Sequence, residues 1–162
     1  MFRLNLFGQI NLKISDFKLK EDTLTANPGK EEELTFTTSE YTTQIKIKKQ
    51  NVLVTFSKSD IDIPLEKMCA FISKQLNWIS KNNPSIKEKV ATDLQSLAQD
   101  WLPEGKDTIT TEEISESIAL ESISFLDSES CEINFNDGEI FAGHGMHIDL
   151  NSKQELGEAY ME

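Results

Sequence analysis

The residues best suited to chemistry lie close together near the end of the chain. Within Phe135–Asp149, two imidazoles, His144 and His147, stand three apart, with carboxylates at Asp137, Glu139 and Asp149. Imidazole nitrogen with carboxylate oxygen is a donor set that zinc, iron or manganese accepts. A metal-dependent enzyme using His144 and nearby carboxylates is therefore one reading. Spacing argues against it. Residues three apart on a strand point to opposite faces, so both rings converge only if Gly145 bends the chain. A serine hydrolase has less support, because no GxSxG elbow is present. Gly138, Gly143 and Gly145 follow neither phosphate-loop nor dinucleotide spacing. Cys69 and Cys131 lack a CxxC partner and sit among apolar neighbours, as buried, inert thiols do. The residues thus define no catalytic set, no metal-ligand set and no cofactor motif.

What remains is binding. The chain has 162 residues, 16 basic and 28 acidic, for a formal net charge of −12. Residues 1–100 carry a net +1, and residues 101–162 carry −13, with only Lys106 and Lys153 as bases. Such an end repels nucleic acid and anionic lipid, which need clustered Lys and Arg. It speeds encounter with a basic protein. The expected binding residues are Glu129, Glu132, Asp137, Glu139 and His144. Plain solubility is the simpler use of the same charge.

These residues need a scaffold, and the apolar pattern supplies one. A 38% hydrophobic share with nine Phe is enough for a core, and the length suits one domain. Residues 1–63 read as a β-rich scaffold. Phe2, Leu4 and Leu6 alternate with polar residues, as do Ile10, Leu12 and Ile14, and Asn27-Pro28-Gly29 is a turn signal. Ile45 and Ile47 alternate toward a hairpin tip at Gln50-Asn51, before Val52, Val54 and Phe56. The period then changes. Leu65, Met68, Ile72, Leu76 and Ile79 recur at three- and four-residue steps, and Ile86, Val90, Leu94 and Leu97 do the same. Asn83-Pro84 between them reads as cap and first residue of a second helix, making residues 64–102 a helical hairpin. Residues 103–162 begin with a Thr110–Glu113 capping box that opens a short third helix. They continue as acidic β-hairpins, with Asn136-Asp137-Gly138 as a tight turn. The expected fold is α+β: antiparallel sheet with a central helical hairpin and a short third helix, in a single domain.

The C-terminal segment also carries a resemblance. Asp137-Gly138, then Phe141, then Gly143-His144 before a final strand, resembles the closing signature of a bacterial domain-of-unknown-function family, number 2262. Upstream, Trp101-Leu102, the Thr-Glu-Glu helix start and Leu120-Glu121-Ser122-Ile123 look similar in order. The resemblance implies structural roles for Gly138, Phe141 and Gly143 beside Asp137 and His144, and it implies no established chemistry. Two positions depart from the family pattern: Ala142 replaces a large aromatic, and Gly145 stands where Ser is common. If that aromatic shapes a pocket in relatives, the resemblance implies that the pocket is shallower or absent here.

Three functions follow as expectations. The first is a non-enzymatic module that binds a basic protein partner, such as an immunity-type neutraliser of a basic toxin. The second is the metal-dependent enzyme above, and the third is a structural or regulatory subunit. The opening residues lack the unbroken apolar run of a secretory leader, and no stretch reaches the length of a membrane helix. A cytoplasmic protein without nucleic acid, membrane or cofactor as partner is the expectation.

Overall fold

The computed structural model describes residues 9–26 and 34–162. Two expected features, the alternation at Phe2–Leu6 and the turn at Asn27-Pro28-Gly29, lie outside these residues. Seven strands form one sheet: β1 Lys18–Ala26, β2 Leu34–Ile47, β3 Gln50–Ser57, β4 Ala119–Phe125, β5 Ser130–Asn136, β6 Met146–Asn151 and β7 Leu156–Met161. Their spatial order is their chain order. Every neighbouring pair is antiparallel except β3 and β4, which run parallel. The sheet is thus two antiparallel meanders joined at one parallel seam. A parallel step needs a long crossover, and two helices supply it: α1, Leu65–Asp100, and α2, Thr111–Ser117.

The helical hairpin is not what forms. Residues Leu65–Asp100 are one helix of 36 residues with Pro84 inside it, a rod about 54 Å long at 1.5 Å per residue. The buried positions explain the continuity. Met68, Ile72, Leu76, Ile79, Asn83, Ile86, Val90, Leu94 and Ala98 keep one helical phase straight through Asn83-Pro84. A single apolar stripe therefore packs along its whole length, and that burial outweighs the bond that proline removes. The capping box does form: Thr110 Oγ1 accepts from Glu113 N at 3.1 Å, and Thr110 N donates to Glu113 Oε2 at 2.8 Å. The short helix it opens is the second α-helix, not the third.

Both helices lie on one face. Val52, Val54, Phe56, Ile123, Phe125, Cys131, Ile133, Phe135, Ile148 and Leu150 alternate inward and share one core with the α1 stripe. Both cysteine side chains are buried. Burial pushes the Cys131 thiol up to about 12, with Asp149 adding to the shift. The strand expected at Ile10–Ile14 is instead an extended segment leading into a single 3-10 turn, Ile14–Asp16. Its backbone bonds the helix side chains: Ile10 N donates to Asn77 Oδ1 and Leu12 N to Ser73 Oγ. The β2–β3 tip falls at Lys48-Lys49, two residues before the expected place, with Lys48 at φ 56°.

Candidate functional site

The acid-rich end divides into two separate structures. The first is the loop Asp137–Gly145 between β5 and β6, which is far longer than the tight turn its Asp-Gly pair suggests. Asp137 organises it. This carboxylate is 3% exposed. Its Oδ1 accepts from Glu139 N at 3.0 Å, and its Oδ2 accepts from Phe141 N and Gly143 N, both at 2.8 Å. Burial alone would raise its pKa, but the N–H groups of Gly143, Glu139 and Phe141 outweigh burial and hold it below the ordinary carboxylate range.

The other signature residues serve the same loop. Gly138 has φ +57°, and a Cβ there would sit 2.6 Å from the Ser117 carbonyl oxygen, so a side chain is excluded by backbone at the end of α2. Gly143 has φ +89°. Phe141 is fully buried and packs edge-on to Trp101, with ring centroids 6.0 Å apart. The His144 ring also meets Trp101 edge-on, at 5.4 Å, and its Nδ1 lies 3.1 Å from the Glu162 backbone oxygen. Glu162 N in turn donates to Gly145 O at 3.1 Å. Asp137, Gly138, Phe141, Gly143 and His144 therefore act together, and the fold accounts for each of them. Glu139 is exposed at φ 71° beside Trp101 and Glu113.

The second structure is the sheet face that the helices leave open. The polar members of each alternating strand stand there in register. Ser122 on β4 is opposite Asn134 on β5, Asn134 is opposite His147 on β6, and His147 is opposite Tyr160 on β7. The row is bonded along its length. Asn134 Nδ2 donates to Ser122 Oγ at 3.1 Å, which turns its Oδ1 toward His147. His147 Nδ1 donates to that oxygen and lies 3.4 Å from Glu132 Oε1. The His147 ring stacks on Tyr160 at 5.3 Å, and the Tyr160 hydroxyl donates to Glu132 Oε2. That bond to Glu132, then burial, raises the phenol above its ordinary range. Next to this row, Glu132 and Asp149 are direct cross-strand partners on the same open face. Like charges directly opposite each other repel.

The sequence-derived binding set is thus split. Glu132 belongs to the open face, Asp137 and His144 to the loop, and Glu129 to the β4–β5 turn, where its N–H bonds Asp127 Oδ1 at 2.7 Å. Glu129 and Glu139 lie beyond opposite ends of β5, whose seven residues span roughly 20 Å. His147, Asn134, Tyr160 and Asp149 join the candidate site instead. The signal for Asn134, His147 and Asp149 was present as the polar members of the two-residue alternation in Glu132–Asn134 and His147–Asp149, whereas Tyr160 in β7 had none. Among the described residues, no group of three or more His, Cys, Asp or Glu is arranged to hold a metal ion. No helix among them is long and apolar enough to cross a membrane.

A single mixed sheet of two meanders, backed on one face by a long helix, is the class of domain defined here. The chain belongs to domain-of-unknown-function family 2262 (DUF2262), described as an uncharacterized protein conserved in bacteria, whose family model matches residues 32–161. No curated protein and no solved structure matches the chain.

Proposed function

We propose that the domain is a non-catalytic, cytoplasmic module that binds a basic protein on the open face of β4–β7, as an immunity protein neutralises a basic toxin. The observation behind this reading is the Glu132–Asp149 pair. Two carboxylates facing each other across β5 and β6 repel, and a guanidinium or ammonium from a partner relieves that repulsion. Tyr160 and His147 flank the pair with flat, amphipathic rings of the kind that anchor interfaces. The Asn134–Ser122 bond holds the row in place before binding, which lowers the cost of ordering it. His144 and Asp137 take no part in recognition here, since the Asp137–Gly145 loop uses both.

The test is association with basic nuclease-type toxin domains, measured as on-rate against ionic strength. Electrostatic capture predicts an on-rate that falls steeply with added salt. Glu132→Gln combined with Asp149→Asn should weaken binding by about 2 kcal/mol or more. An on-rate indifferent to salt, or a double variant that binds as before, overturns the reading.

A further inference from the structure

We propose that the depression between the β2–β3 turn and the middle of α1 binds a phosphate-type oxyanion, held by Lys48, Lys49 and Lys87 over the side-chain amide of Asn83. All four residues line it, and so does the carboxylate-bearing Glu116. Three lysines from two elements far apart in sequence line this one depression, in a chain whose net charge is −12. Among the described residues, the ion pairs formed by lysines involve Lys20, Lys89 and Lys106, and none involves these three. Burial and then the charge of Lys48 hold the Lys87 ammonium below its ordinary range, with Glu116 only partly opposing them. Three like charges crowded around a single carboxylate leave a net positive site that favours an anion.

Two further observations point to the same place. Asn83 is 6% exposed, and its Oδ1 is sealed from solvent without a hydrogen-bond partner. A carboxamide left this way inside the apolar stripe of α1 costs stability that an aliphatic residue would not. An oxyanion does not partner that oxygen, itself an acceptor, but it accepts from the amide nitrogen of the same side chain and so gives the residue a use. Lys48 holds φ 56° in a two-residue hairpin turn, a position where glycine is at ease and lysine is not. Phosphate suits the set better than carboxylate. It carries up to two charges and presents several acceptor oxygens to three separate donors.

The experiment is titration of the ¹⁵N-labelled full chain with inorganic phosphate, pyrophosphate, AMP and acetate at constant ionic strength. Phosphate should shift the backbone amides of residues 48–50 and the Asn83 side-chain amide, and the shifts should saturate. Lys87→Gln should weaken phosphate binding about tenfold, since it removes one charge-assisted bond. Lys48→Gly should weaken it similarly while raising the melting temperature, because glycine relieves the left-handed backbone. Tighter binding of AMP identifies a nucleotide as the source of the phosphate, and equal binding identifies the free oxyanion; either upholds the site. Acetate binding as tightly as phosphate overturns the proposal. So do shifts spread evenly over exposed lysines such as Lys58 and Lys74, or unchanged saturation in Lys87→Gln.

Discussion

Asp137 has the most consequential side chain in the C-terminal third. One buried carboxylate accepts from three backbone N–H groups, and the buried one, of Phe141, would otherwise be left without a partner. Asp137→Ala should therefore destabilise the domain by roughly 2–4 kcal/mol in urea unfolding, as expected for losing three charge-assisted bonds, one of them to a buried donor. Gly138→Ala meets both a positive φ and the Ser117 carbonyl. It should cost about 2–4 kcal/mol and lower the melting temperature. Sequence alone marked these residues through the Asp-Gly pair and the resemblance. It read them as a tight turn because Asp-Gly usually makes one. The nine-residue path that brings three N–H groups back to one carboxylate has no local pattern. The contacts of His144 with Trp101 and the Glu162 backbone were beyond sequence reading for a similar reason, since both partners are remote in sequence.

The long helix is the element where local and global signals diverged. Asn83-Pro84 is a strong break signal taken by itself. The steps from Ile79 to Asn83 to Ile86, however, keep the phase of the stripe, which a turn between two helices would reset. That phase was legible in the sequence and, properly weighed, overrides the proline. Pro84 still removes a donor from the helix interior. Pro84→Ala should accordingly stabilise the domain by about 1–2 kcal/mol in denaturant unfolding, less than the full interior penalty because alanine loosens the unfolded chain. Strands β3, β5 and β6 were easier to read, since their burial follows the alternation directly, whereas β7 buries no alternate residues and carried no such pattern. A bulge between Leu120 and Ser122 resets the alternation in β4, and the sequence carries no marker for it.

At the scale of the whole molecule, several carboxylates are committed to the fold rather than to a partner. Burial raises the pKa of Asp93, Asp127 and Asp137 individually, but bonds to Lys89 and Ala159, to the Glu129–Ser130 backbone and side chain, and to the Asp137 loop outweigh it. All three are depressed in the folded state, so their contribution is fully present above the unfolded value of about 3.9. It is lost as pH falls through the lower folded values. Stability should hold through neutral pH and drop below about pH 4, as a chemical-denaturation series across pH would show. Strand order and the parallel seam were beyond sequence reading, because alternation tells which face is buried and not which strand lies alongside.

The single seam also bears on covalent continuity. The connection Trp101–Thr110 crosses from the end of α1 to α2 and is largely exposed around Glu104, Gly105 and Lys106. Everything before it contributes β1–β3 and the helical rod, and everything after it contributes β4–β7, so the halves meet through the β3–β4 ladder and the shared core. A protease site inserted at Gly105 should therefore yield two fragments that co-elute as one particle in buffer and separate only in denaturant. Expressed from separate genes, the same two pieces should reassemble, making the domain a candidate for split-protein complementation.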